Sequence, residues 1–105
     1  MTISISKQSN TLMINLPVQF GFKQQALFRQ AYENNLDKST KRIVINFLHT
    51  HSIDSAGLGM MLVFREYIEK NTSIDKNTIE LSNCQQEIKY LLTAANFSGL
   101  FAVSL

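Results

Sequence analysis

One cysteine, one proline, four glycines and no tryptophan are spread over 105 residues, and each shortage removes a class of protein. A lone Cys84 has no partner within the chain, so a disulfide-stapled scaffold is excluded. So little Pro and Gly excludes collagen-like and low-complexity chains. No apolar run approaches the roughly 18 residues of a membrane span. Charge of one sign is scarce as well. Ten Lys and Arg against eight Asp and Glu leave a net +2, and the longest basic cluster is Lys41-Arg42. A nucleic-acid binder normally needs a basic stripe to displace counterions, and none is present. The first residues, Met1-Thr2-Ile3-Ser4-Ile5-Ser6, alternate like a strand rather than forming a targeting core. With the single cysteine, this points to a soluble protein of the reducing cytoplasm, with no nucleic-acid and no membrane partner.

What the chain does have is apolar content, 45% of residues, and a charged fraction of 17%. That composition supports a packed core and not a disordered tail. The length suits one domain over residues 1–105, and a monomer is the simplest expectation.

Ile3-Ser4-Ile5-Ser6 and Leu12-Met13-Ile14-Asn15-Leu16 read as two strands joined by the polar turn Gln8-Ser9-Asn10, an antiparallel hairpin. Pro17 ends the second, because it cannot donate to a ladder. From about Lys23 to Leu36, Leu27, Phe28, Ala31 and Tyr32 recur at helical spacing. Arg42 to Leu48 is nearly continuously apolar and β-branched, as expected of a central strand buried on both faces. A second helix is predicted from about Gly57 to Asn71, and a strand around Thr78–Ser82. A third helix carries the stripe Ile88, Leu91, Leu92, Ala95, with Asn83 as its cap. Leu100–Val103 reads as a short edge strand. Strands alternating with helices imply right-handed crossovers, hence an α/β fold with a mixed sheet of four to five strands, an antiparallel start, and three to four helices.

The informative stretch is His51-Ser52-Ile53-Asp54-Ser55-Ala56-Gly57-Leu58-Gly59, between the central strand and the second helix. Sites in open α/β sheets gather at the carboxyl ends of strands. Asp54 and Ser55 are capping types, and Gly57 and Gly59 would let backbone approach closely; an ordinary helix cap is therefore an open reading of the same residues. Along the second helix Met60, Met61, Phe64, Tyr67 and Ile68 form the core stripe, and Arg65, Glu66, Glu69 and Lys70 the solvated side. If the helix starts at Ser55, then Ser55, Leu58 and Leu62 share a face, beside Arg65 and Glu69. Leu58, Leu62 and Arg65 are the candidate partner-binding residues, unless a neighbouring helix covers the leucines.

Asp54-Ser55-Ala56-Gly57-Leu58-Gly59 resembles the Asp-Ser-Ser/Thr-Gly-Leu-Gly motif of the anti-sigma-factor antagonists, which carry the STAS fold. Ile79-Glu80-Leu81-Ser82-Asn83-Cys84 and Ala94-Ala95-Asn96-Phe97-Ser98-Gly99-Leu100-Phe101 resemble that family's last strand and its Phe-x-x-Leu-Phe ending. The resemblance implies a non-catalytic protein-binding switch without a cofactor. Ser55 would be phosphorylated by an anti-sigma factor acting as a serine protein kinase, Asp54 would be its preceding acid, and a serine phosphatase would reverse the step. The unphosphorylated form would bind the partner and the phosphorylated form release it. The alternative is a STAS-type scaffold that binds constitutively. Two positions depart from the family pattern: Ala56 stands where Ser or Thr is usual, and Gly21 where an acid is usual.

Other chemistries lack their parts. His49 and His51 have no third ligand at a recognisable spacing. Adjacent Asp54 and Ser55 cannot hold a base between them as a hydrolase relay needs. Asp54 as a phosphoryl acceptor lacks a companion acidic cluster for magnesium. Cys84 before a helix could be a reactive thiolate, but a small packing residue is the plainer reading.

Overall fold

A computed structural model describes residues 3–103; Met1 and Thr2 of the alternating N-terminal run lie outside the described residues. Strands β1 (Ser4–Gln8) and β2 (Thr11–Asn15) pair antiparallel about a turn in which Ser9 takes a left-handed φ of 53°. Next come β3 (Gln19–Phe20), α1 (Gln25–Asn35), β4 (Arg42–Asn46), β5 (Ser52–Ile53), α2 (Ser55–Asn71), β6 (Glu80–Ser82), α3 (Gln86–Ala94) and β7 (Ala102–Val103). The main sheet has the order β1-β2-β4-β6-β7, and every pair after the first is parallel. The expected mixed sheet of four to five strands with an antiparallel start and three to four helices is observed, with five strands in the main sheet and three α-helices.

The order β2, β4, β6, β7 advances one way across the sheet. Right-handed crossovers repeated in one direction put every connecting helix on the same face. Burial agrees. The register row Ile14–Ile45–Leu81 and its neighbours Leu12 and Ile43 are fully buried, and they share one core with Phe28, Tyr32, Met61, Phe64, Ile68, Ile88 and Leu92 from the three helices. The opposite face carries the rows Gln8–Thr11–Arg42, Ser6–Met13–Val44–Glu80–Ala102 and Ser4–Asn15–Asn46–Ser82. These side chains are mostly polar and at least partly exposed. The expectation that β4 is buried on both faces is thus corrected: on the second face Val44 is buried, while Arg42 is exposed and Asn46 half-buried.

A chain of amides stitches one end of this second face. Asn83 Nδ2 donates to Asn46 Oδ1 (2.8 Å), Asn46 Nδ2 to Asn15 Oδ1 (2.8 Å) and Asn15 Nδ2 to Ser4 Oγ (3.2 Å). Asn83 sits at φ 57° in the turn after β6 and does not cap α3, whose N-cap is Gln85 in extended conformation. Two stripe residues also differ from expectation. Leu27 and Leu91 lie at the edges of their helices' apolar faces and remain 46% and 38% exposed, because the ring contacts of Phe28 and Tyr32, and the burial of Ile88 and Leu92, already fill the space beneath. Leu48, past the end of β4, is exposed.

Candidate functional site

The segment from Phe47 to Ser55 is held by a second, two-stranded sheet that periodicity did not announce. Strand β3 pairs parallel with β5, Gln19 opposite Ser52 and Phe20 opposite Ile53. Val18 O accepts from His51 N (2.8 Å) and Ser52 N (3.2 Å). Fully buried Thr50 donates its hydroxyl to Pro17 O at 2.9 Å. Two-residue strands are too short to show alternation, so sequence periodicity had nothing to register here.

Asp54 is the N-cap of α2, in extended backbone, and its Oδ1 accepts from Gly57 N at 2.8 Å. This is a standard use of aspartate, satisfying one of the helix's orphan donors. Ser55 follows as the first residue of α2. It is exposed, and no hydrogen bond involves its hydroxyl among the described residues. The oxygen stands at the positive end of the helix, beside a carboxylate and open to solvent.

The two glycines of the motif do different things. Gly57 is buried, and a Cβ there would run into the Phe20 carbonyl and come within 2.8 Å of Ile53 Cγ1. Its missing side chain is what lets the end of α2 press onto β3 and β5. Gly59 has open space where a Cβ would stand, so the expected close backbone approach does not occur at that residue. Gly21 proves to be part of the same construction. A methyl at position 21 would lie 2.8 Å from Asp54 Cγ and 2.9 Å from Oδ1. The Asp54 carboxylate thus fills the space that a side chain at position 21 would need, and Gly21 N is satisfied by Gln24 Oε1 at 2.8 Å. A shallow groove beside Asp54 is lined by Gly21, Phe22, Lys23, Gln24 and Ser52.

The outward line of α2 runs Ser55, Gly59, Leu62, Val63 and Glu66, at helical spacing opposite the buried stripe Met60, Met61, Phe64 and Ile68. Leu62 is 42% and Val63 60% exposed. Leu58 is half-buried and packs against the core, at the flank of this line. Arg65, expected on the solvated side, is half-buried: its Nε donates to Leu100 O (3.0 Å) and its Nη2 to Asn77 Oδ1 (2.7 Å). Those bonds tie α2 to the segments flanking β6 and β7. Val63 went unread in the sequence although its spacing, i+4 from Gly59, was there to find. Phe22, 71% exposed in the turn before α1, had no periodic signal at all.

The remaining candidates sit apart from this arrangement. His51 faces the start of α3, its Nδ1 3.7 Å from Glu87 Oε1, with both side chains exposed. Among the described residues no group of three or more His, Cys, Asp or Glu is arranged to hold a metal ion. Cys84 is buried, and burial pushes its thiol up, against a smaller opposing pull from Lys89; that is the environment of a packing residue rather than a nucleophile. No helix among the described residues is long and apolar enough to cross a membrane.

Comparison with known proteins agrees with the geometry. The family model described as STAS domain matches residues 2–105. A STAS-domain containing protein of Pseudomonas aeruginosa (strain UCBPP-PA14) is 30% identical over 99 residues, 94% of this chain and 93% of that one. Among solved structures, the anti-sigma factor antagonist SpoIIAA in its unphosphorylated form is similar with a TM-score of 0.61 at 15% identity, over 88% of this chain and 82% of that chain. The murine Solute Carrier 26 family member A9 anion transporter, in its inward-facing state, is similar with a TM-score of 0.64 at 12% identity, over 95% of this chain and 17% of that one. At such identities the two structures speak for the fold alone.

Proposed function

The chain belongs to the STAS domain family, and from that premise we propose that it is a non-catalytic, single-domain switch that binds an anti-sigma-type partner until Ser55 is phosphorylated. The observation that carries this reading is the placement of Ser55: an exposed hydroxyl at the first turn of α2, without an internal hydrogen bond, on one line with the exposed apolar side chains Leu62 and Val63.

A protein partner docking on that line would cover Leu62 and Val63, reach Leu58 at its flank, and meet the Ser55 hydroxyl at its edge. Arg65 contributes by holding α2 in place through its bonds to Leu100 and Asn77. A phosphate on Ser55 brings about −1.5 to −2 charge. The free N–H groups and dipole of the helix start tolerate it, so the fold survives. A docked apolar partner does not tolerate it: the charge must be desolvated, and it lies next to Asp54. The kinase and the restoring serine phosphatase are separate proteins in this reading. Ala56 leaves Ser55 as the one hydroxyl in the Asp54–Gly59 motif.

The resemblance of Asp54–Gly59 to the motif of the anti-sigma-factor antagonists favours this reading over a constitutive scaffold. One experiment separates them. The protein is incubated with ATP and each anti-sigma-class serine kinase of its own cell, and intact-mass analysis reads one phosphate that Ser55→Ala abolishes. Binding to that kinase is then measured by calorimetry. Ser55→Ala is expected to bind like the wild type, and Ser55→Asp about tenfold or more weaker. No phosphate transfer, or equal affinities, leaves the constitutive scaffold.

A further inference from the structure

The turn before α1 brings a cation to the groove beside Asp54, and no carboxylate among the described residues holds it. Lys7, Arg29, Arg42, Lys70 and Lys76 each pair with an acid, and Arg65 is bound to Leu100 O and Asn77 Oδ1. That leaves Lys23, Lys38, Lys41 and Lys89. Lys38 and Lys41 belong to the loop between α1 and β4, before β4 starts, whereas Ser55 stands past the residue where it stops. Lys89 is in α3, beside Cys84. Only Lys23 of these lines the Asp54 groove.

Lys23 is exposed in the short turn Phe22–Gln24, whose start is fixed by Gln24 Oε1 accepting from Gly21 N at 2.8 Å. Gly21 lies against Asp54, so Lys23 and Asp54 wall one groove of about 390 Å³. Asp54 does not take the ammonium. Its Oδ1 is bound to Gly57 N, and the carboxylate is packed against Gly21. A phosphate on Ser55, the next residue, differs from that carboxylate: it stands farther out and carries about −1.5 to −2 charge on three acceptor oxygens. A lysine stem is flexible and ends in three rotatable donors, so it can swing across a groove of this size. We propose that Lys23 is the counter-ion of phosphorylated Ser55, its ammonium crossing the mouth of the groove to clasp the phosphate with charge-assisted hydrogen bonds. The clasp offsets the repulsion from Asp54 and fixes the phosphate at the edge of the outward line of α2. This inference rests on the reading of Ser55 as the phosphate acceptor and adds what holds the phosphate.

Phosphoserine placed at position 55 by genetic encoding supplies the modified full chain without any kinase. Phosphorus NMR then follows the second ionisation of the phosphate, which lies near pH 6 for a free phosphoserine. A cation beside the phosphate favours its dianion. The chain with Lys23 is therefore expected to titrate about 0.2–0.7 of a pH unit below Lys23→Gln, the size of an exposed ion pair. Lys23→Arg should titrate like the unsubstituted chain, and the difference should close in high salt. Lys38→Gln removes the same charge away from the groove and should leave the titration unmoved. Asp54 and His51, the latter turned toward Glu87, are common to every variant. Both lysines are on the surface, and circular dichroism checks that each variant is folded. Equal titration with and without Lys23, or an equal shift in Lys38→Gln, would overturn the clasp while leaving phosphorylation of Ser55 standing. Failure of every kinase to transfer phosphate would instead sink the reading of Ser55, and the clasp with it.

Discussion

Asp54 carries two constraints at once, and they explain the residues around it. Its carboxylate caps α2 through Gly57 N, and its bulk lies where a side chain at position 21 would go. An acid at 21 would set two carboxylates against each other; in this chain the cap and the bare Gly21 belong together. The motif glycines can be told apart by substitution. Gly57→Ala meets a backbone carbonyl, which cannot swing away as a flexible side chain can, so a loss of about 1–3 kcal/mol is expected in urea unfolding. Gly59→Ala meets open space in a helix interior, so it should be neutral or stabilise by up to about 1 kcal/mol. Two glycines two residues apart, with opposite signs in the same assay, is the outcome that checks this geometry; equal losses at both would contradict it. The motif itself was legible in sequence, whereas the helix, expected from about Gly57, starts two residues earlier at Ser55. The reason for Gly21 was not, because it depends on a contact between residues 33 positions apart.

The elements were legible where a period was long enough to read. Helices α1, α2 and α3 and strands β2 and β4 repeat their apolar positions over several turns or alternations, and they are found close to where that spacing placed them. Strands β3 and β5 are two residues each and left no such trace. Tertiary space also overrode spacing at Leu27 and Leu91, whose neighbours filled the core first. Between α1 and α2 that core is aromatic: Phe28 meets Phe20 at 5.0 Å, Tyr32 at 5.4 Å and Phe64 at 5.6 Å between ring centroids, all edge to face. Tyr32 is buried enough that desolvation raises its hydroxyl above its ordinary range. Phe28→Ala would remove the ring that touches three others and is expected to cost about 3–5 kcal/mol. Chemical unfolding gives the number, and a loss under about 1 kcal/mol would mean that the two helices repack without it.

Across the whole molecule, ion pairs sit on the outside and respond to acid together. The Ser39 hydroxyl and then the Lys7 ammonium hold Asp37 well below the usual carboxylate range; Lys70 lowers Glu66, and Arg42 lowers Glu80. Each folded-state value lies below its unfolded one. The stability these groups add is therefore complete above about pH 4.5 and is lost as pH falls through the folded values. Unfolding midpoints should stay level from pH 7 to about 5 and decline below about 4, with a shallower decline for Asp37→Asn and in high salt, because these groups are exposed and screened. A profile unchanged by Asp37→Asn would count against that pair. The largely parallel sheet with its antiparallel start followed from alternation and crossover handedness; the order of the strands and the gathering of the helices on one face were read only from the structure. The second face of β4 was misread because Ile43, Val44 and Ile45 are all buried, and a run of apolar residues does not say whether its cover is a helix or the strand's own neighbours.

The contact at Gly57 has a consequence for how information can leave this protein. Gly57 lies so near the Phe20 carbonyl that no Cβ fits between them, so the first turn of α2 is packed closely onto β3 and β5. On the proposed reading, a phosphate on Ser55 would add its charge to the outer side of this packed helix start. A partner that senses that charge would then do so by docking at the start of α2 itself.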